Sequence, residues 1–186
     1  MSINARNCMN HRPMAGLFCL ILLSISFPAF SQEPSGDRSP LSISLGLEAA
    51  WYSAEGVAFG PGLAGEYRFS PALAAGVSVG FFHDFTEYAT FEPGAFLRWY
   101  PLARASGPFS GLFAQGMAGA ALIWGSDAMQ TFPMGGLELG LRINLGNGDW
   151  YVEPRIRGGY PFIAGAGVAA GWRPKKSEKS GTRSEL

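Results

Sequence analysis

Ten charged side chains punctuate the middle of the chain: Glu48, Glu66, Arg68, Glu92, Arg98, Glu138, Arg142, Glu153, Arg155 and Arg157. Paired carboxylates are the equipment of glycoside hydrolysis, in which one carboxyl must hold its proton while the other is ionised. Here the glutamates fall on the same alternating positions as arginines, and a neighbouring guanidinium favours the ionised form. The pattern therefore suits ion pairing better than acid catalysis. His83 beside Asp84 could serve a Ser-His-acid hydrolase, with Ser53 the conceivable nucleophile, but no His-x-Ser pairing supports it. The Gly-x-Gly stretches open no plausible helix, so they do not read as phosphate loops. Both cysteines, Cys8 and Cys19, and the second histidine, His11, lie in the first 31 residues. The remainder has neither thiol chemistry nor the ligands of a usual zinc site. No catalytic residue, metal or cofactor is expected.

The elements that carry these charges show strict two-residue alternation, the period of strands with two different faces. Leu41, Ile43, Leu45, Leu47, Ala49 and Trp51 alternate with Ser42, Ser44, Gly46, Glu48 and Ala50. Phe59, Leu63, Tyr67 and Phe69 oppose Gly60, Gly62, Ala64, Glu66 and Arg68. Leu73 to Phe81 follows with Gly76, Ser78 and Gly80 on its other face, then Phe91 to Trp99 with Glu92, Gly94, Phe96 and Arg98. The fifth segment, about 109–124, is ambiguous in phase; Leu112, Ala114, Ala118, Leu122 and Trp124 are placed opposite Gln115 and Gly119. Leu137 to Leu145 sets leucines against Glu138, Gly140, Arg142 and Asn144. Trp150, Val152, Pro154 and Ile156 oppose Tyr151, Glu153, Arg155 and Arg157, and Ala164 to Trp172 opposes Gly165, Gly167, Ala169, Gly171 and Arg173. Turn residues separate the segments, as in Ser70-Pro71-Ala72, Gly146-Asn147-Gly148-Asp149 and Gly158-Gly159-Tyr160-Pro161. Eight such segments with short connections predict an all-β, eight-stranded antiparallel up-and-down barrel. Pro61, Pro93 and Pro154 each mark a local bulge or an end of pairing.

Alternation alone does not say which face is inside. Only 15% of the 186 residues are charged, against about 25% in an ordinary soluble domain. All three lysines, Lys175, Lys176 and Lys179, follow the last segment. The tryptophans sit at strand ends on the apolar face, where a membrane–water boundary satisfies both ring and polar edge. Trp51, Phe81 and Trp124, with Phe59 and Phe132, are assigned to one girdle; Tyr67, Trp99, Trp150 and Trp172, with Phe69 and Phe109, to the other. An arginine facing lipid near mid-bilayer costs about 2–4 kcal/mol. Arg68, Arg98, Arg142 and Arg155 on that face would together cost as much as a whole domain's stability. The ten charges are therefore expected in the lumen as a paired network, with a transmembrane barrel around them. Charged residues that merely line wet barrel ends are the blander alternative.

Residues 1–31 read as a cleaved signal peptide: Arg6 and Arg12, an apolar centre from Leu17 to Leu23, and Pro28-Ala29-Phe30-Ser31 before Gln32. Without it, twelve basic side chains face fourteen acidic ones, which excludes the basic footprint of a nucleic-acid binder. Residues 32–40 form a polar, disordered lead-in, 41–173 the barrel, and 174–186 a disordered basic tail.

With its signal, eight two-faced segments, aromatic girdles, Tyr151-Val152-Glu153-Pro154 and Gly165-x-Gly167-x-x-x-Gly171-Trp172, the chain resembles the small eight-stranded outer-membrane barrels of diderm bacteria, the OmpA/OmpX/OmpW-like group. The resemblance covers roughly Leu41 to Arg173. It implies insertion into outer-membrane lipid through the barrel-assembly machinery, periplasmic termini, and a structural, adhesive or narrow-pore role. The tail after Trp172 and the short outer loops, near 53–58, 84–88, 125–131 and 158–162, depart from the group; the short loops weigh against adhesion. A monomeric, non-enzymatic structural or narrow-pore protein is expected, with the tail able to meet peptidoglycan or a periplasmic partner. An OmpW-like transporter of small apolar molecules and a soluble periplasmic ligand-binding barrel are the alternatives.

Overall fold

The computed structural model describes residues 39–52, 56–85, 88–125, 128–146 and 149–174. The strands are β1 (Leu41–Tyr52), β2 (Gly56–Arg68), β3 (Leu73–His83), β4 (Ala89–Trp99), β5 (Leu112–Trp124), β6 (Met129–Leu141, resuming at Ile143–Leu145), β7 (Trp150–Tyr160) and β8 (Phe162–Trp172). The two parts of β6 keep one register against β7, with Gly140 opposite Arg155 and Ile143 opposite Val152, so they form one strand interrupted at Arg142. Each strand pairs antiparallel with the next, and β8 pairs back onto β1. The result is the expected closed eight-stranded antiparallel barrel.

The register sets its dimensions. One circuit along paired positions runs Leu41, Tyr67, Ala75, Leu97, Gly116, Leu137, Gly158 and Ala164, and returns to β1 at Trp51. The stagger is ten residues (51 − 41), an even number, so a side chain that points inward still does so after a full turn. Eight strands with that stagger tilt by about 40° around a backbone radius of about 8 Å. A lumen this narrow is filled by its own side chains. Ser42, Ser44, Glu48, Ala50 and Tyr52 of β1 are buried, while the alternate Leu41, Ile43, Leu45, Leu47 and Trp51 are exposed. At mid-wall the outward residues are almost bare: Leu137 is 71% exposed, Leu47 67% and Val77 65%.

The prolines lie where the ladder is broken on one side. Pro61 pairs with Leu47 of β1, but the β2–β3 ladder skips from Phe59 to Gly62. Pro93 pairs with Val79 of β3, but the β4–β5 ladder skips from Phe91 to Gly94. Pro154 pairs with Val168 of β8, and the gap on its other side is the interruption of β6 at Arg142. A residue without an N–H is tolerated where no partner asks for one.

Inward glycines face inward rings. Gly76 stands opposite Phe96, Phe113 opposite Gly140, and Tyr151 opposite Gly171. A Cβ on Gly76 would sit 2.8 Å from Phe96 Cε1, and one on Gly140 would sit 2.8 Å from Phe113 Cε1. On Gly171 it would strike the Tyr151 ring. The missing side chain is the space into which the neighbouring ring lies flat.

Three sequence expectations change. The fifth strand begins at Leu112 rather than near 109, because 100–111 forms a turn-rich connection at the rim that carries Leu41 and Trp172, here the terminal rim. Its phase is as placed, and Phe113, Ala121 and Ile123 are buried on the Gln115 side. The predicted loop 158–162 shrinks to Pro161 alone, since β7 runs on through Gly158 and Gly159 to Tyr160. A register shift between Trp51 and Tyr52 lets Phe162 turn fully inside while Ile163 and Ala164 stay exposed. Phe132 does not join the outer girdle: it pairs with the buried Ala121 and shares the inward face of β6 with Met134 and Glu138.

Gly140→Val should therefore lower unfolding stability by about 1–3 kcal/mol through overpacking. The loss should shrink in a Phe113→Ala background, as a double-mutant cycle of urea unfolding followed by tryptophan fluorescence would show.

Candidate functional site

The alternation that turns leucines outward turns all ten charged residues inward, where the structure brings them into two clusters stacked along the barrel axis. Toward the terminal rim, Glu66 of β2 is the hub. It accepts two hydrogen bonds from Arg142, Nη1 at 2.9 Å and Nη2 at 3.0 Å, in the forked geometry that planar guanidinium matches to a carboxylate. It also accepts Arg98 Nη1 at 2.9 Å and the Tyr100 hydroxyl at 3.1 Å. Glu153 Oε1 accepts Arg142 Nε at 2.6 Å and Arg98 Nη1 at 3.0 Å. Arg98 Nε donates to Gln115 Oε1 at 2.7 Å. Arg68 stands off, 3.8 Å from Glu66.

Toward the other rim, here the distal rim, Arg157 donates to Glu92 at 2.7 Å and contacts Glu48 through Nε. Arg155 donates to Glu48 at 3.3 Å, and the Tyr52 hydroxyl donates to Glu92 at 2.6 Å. Glu138 lies between the clusters, 3.8 Å from Arg98 Nη2 and 3.9 Å from Arg155 Nη1. Those separations are ionic contact without a hydrogen bond.

Rings cap both clusters. Ala74, Tyr100 and Phe113 pack at the terminal side; Tyr52, Ala50, Ala58, Phe82, Ala121, Met134 and Phe162 pack at the distal side. Guanidiniums lie over the ring faces: Arg98 over Phe113 at 3.9 Å, Arg142 over Tyr151 at 4.1 Å, Arg157 over Phe162 at 3.9 Å and Arg68 over Tyr100 at 4.0 Å. Each contact lets a cation shed water against the negative face of a ring. The sequence reading put Gln115 and Tyr151 on the inward face, but did not foresee that they or the other aromatic partners join the charge network. Their signal was parity: Tyr52 stands four after Glu48, Tyr151 two before Glu153, and Phe113 two before Gln115.

The girdle residues lie outward at the strand ends. Trp51, Phe81 and Trp124 mark the distal rim; Tyr67, Trp99, Trp150 and Trp172 mark the terminal rim, with Trp150 directly opposite Trp172.

His83 and Asp84 are occupied in a turn. His83 Nδ1 accepts the backbone N–H of Phe85 at 2.7 Å, and Asp84 Oδ1 accepts that of Tyr88 at 3.0 Å. A triad histidine must instead donate from Nδ1 to its acid. Ser53 lies outside the described residues.

The fold is similar to that of neisserial surface protein A, with a TM-score of 0.51 at 18% identity over 74% of this chain and 98% of the other. The N-terminal β-barrel domain of Pseudomonas aeruginosa OprF gives 0.46 at 18% identity, over 74% of this chain and 99% of the domain. The outer membrane protein OprG of the same organism gives 0.49 at 10% identity, over 75% and 98%. No protein-family model and no curated protein matches the chain. At these identities the likeness is one of fold: the chain has the architecture of the small eight-stranded outer-membrane barrels, as its alternation and girdles implied.

Arg98 bridges Glu66 and Glu153 while only 2% exposed. Removing one partner of a buried pair strands a charge and costs about 3–5 kcal/mol. Arg98→Ala should therefore destabilise more than Arg98→Ala with Glu153→Ala, which restores neutrality and leaves the Arg142–Glu66 fork intact. Urea titration of the four proteins of the cycle tests this, and additive losses would rule out a coupled network.

Proposed function

We propose that this chain is an outer-membrane β-barrel protein with a structural role, its lumen closed by paired side chains, and without catalytic activity. One observation carries the reading. Among the described strand residues no Asp, Glu, Lys or Arg points outward, while ten lie inside. Leucine, isoleucine, valine and aromatic side chains left bare over the whole outer wall are costly in water and are at rest in lipid. Ten residues of a strand tilted by about 40° rise about 25 Å, the height of the apolar band of such barrels.

Export, periplasmic termini, insertion by the barrel-assembly machinery and a monomeric state complete the proposal. They follow from the signal-like 1–31 segment and from the fold class, with the charged 174–186 tail left as a contact for peptidoglycan or a periplasmic partner. A carrier of small apolar molecules needs an apolar passage, and Glu66, Arg98, Glu138, Arg142 and Glu153 oppose one by occupying the axis.

Outward Leu137 distinguishes lipid from water around the barrel. Leu137→Arg should lower folding stability in vesicles by about 2–4 kcal/mol. A barrel whose wall meets water would tolerate it within about 0.5 kcal/mol. Brominated lipid should quench the girdle tryptophans in the same preparation, and unquenched emission would favour the soluble alternative. In planar bilayers the wild type should show no steady conductance; a reproducible ohmic conductance would replace the closed barrel with a narrow pore.

A further inference from the structure

We propose that the mouth of the barrel at the terminal rim is an oxyanion-binding site, roofed by the 100–111 connection. The site concerns the aqueous mouth, so it stands whether the outer wall meets lipid or water.

The connection between β4 and β5 leaves a cavity of about 450 Å³ against the mouth, within the range of small-molecule pockets. Arg68, Arg104 and Arg142 line it, together with Tyr100, Ser106 and Ser110, and no Asp or Glu belongs to its wall. Arg142 is answered from the lumen side, but Arg68 and Arg104 add two further cations to a wall without an acid, which favours an anion or water there.

The carboxylates nearby are already committed on the lumen side. Glu66 and Glu153 hold Arg98 and Arg142 by hydrogen bonds of 2.6–3.0 Å. Arg142 thus borders the cavity with its charge answered and its donors engaged below. Arg68 reaches Glu66 only at 3.8 Å, and its Nε finds no acceptor. Its guanidinium instead lies over the Tyr100 ring at 4.0 Å, a contact that uses none of its N–H groups. Arg104 is exposed on the connection and forms no ion pair among the described residues. Arg68 and Arg104 are thus the cations with donors to spare. Planar guanidiniums bind tetrahedral or planar oxyanions through parallel N–H bonds. The hydroxyls of Ser106 and Ser110 add neutral donors to the same wall.

The ligand chemistry is that of a phosphate. It reaches the mouth either as a free ion or as the headgroup of an anionic lipid at the rim, where Leu102 and Phe109 of the same connection stand exposed.

The test uses the full chain, folded in neutral detergent at fixed ionic strength, with chloride exchanged for inorganic phosphate. A second arm compares vesicles of phosphatidylcholine with vesicles containing phosphatidylglycerol. The readout is the thermal midpoint of tryptophan fluorescence. Inorganic phosphate should raise the midpoint saturably, and Arg104→Ala should weaken the apparent affinity about tenfold, the loss of one charge-assisted contact. The midpoint of this variant in chloride should match the wild type. A response to phosphatidylglycerol alone, lost in the same variant, would assign the site to lipid headgroups. No response in either arm, or one that Arg104→Ala leaves unchanged, overturns the site. Either failure reads separately from the Leu137→Arg result, which reports on the outer wall alone.

Discussion

The pairing of arginine with glutamate inside a wall only about 8 Å in backbone radius is the constraint to which the rest of the barrel answers. Five arginines, at 68, 98, 142, 155 and 157, meet five glutamates, at 48, 66, 92, 138 and 153. An unpaired charge buried there would cost about 3–5 kcal/mol, a large share of a typical domain's stability. The numbers must balance, every one of these residues must point inward, and the alternate residues must then point outward. The even stagger of the closed sheet lets that rule hold around the full circle.

The abundance of glycine follows from the same crowding. Ten long charged side chains and a set of rings occupy one narrow core, so some positions directly across from a ring have no room for a Cβ. Gly76, Gly140 and Gly171 each yield that space to the aromatic residue opposite. All three rings then serve as platforms: Phe113 and Phe96 lie under Arg98 and Tyr151 under Arg142. A glycine on one strand thus positions a ring on the next, and the ring positions the arginine that holds Glu66 and Glu153. The 26 glycines of the chain are in part a consequence of what the lumen must hold.

Alternation made the strands legible, and the parity of Glu66, Arg98 or Glu153 made their direction legible, because a misplaced arginine carries a large energetic penalty. Pairing partners were not legible. Glu66 meets Arg142 across 76 residues of sequence, and only the stagger of the closed sheet brings them level. The Pro161 turn was hidden because Gly158 and Gly159, ordinary turn residues, here continue β7 with an outward and a close-packed position. Phe132 was misread because an aromatic residue near a strand end satisfies a girdle and a lumen cap equally well by composition. Only its parity with Glu138, carried across six residues and Pro133, separates the two. The arginine-lined mouth could not be read at all, since Arg104 belongs to a connection with no periodicity.

The charges are not spread evenly along the axis, and this bears on how the proposed closure works. The terminal cluster holds Arg68, Arg98 and Arg142 against Glu66 and Glu153; the distal cluster holds Arg155 and Arg157 against Glu48 and Glu92, and Glu138 stands between them. The column carries its surplus positive charge toward the terminal rim, answered by Glu138 at the joint, and is neutral only as a whole. Glu138 is where the halves meet, through contacts of 3.8 and 3.9 Å rather than hydrogen bonds. Each half is therefore held internally by short hydrogen bonds and capped by its own rings, and the joint between them is the weaker part. Loosening that joint would leave two intact plugs in series. A passage for ions requires both to rearrange together, a far larger disruption than any single broken pair, so closure by this column is redundant and a leak caused by one substitution is not expected of it.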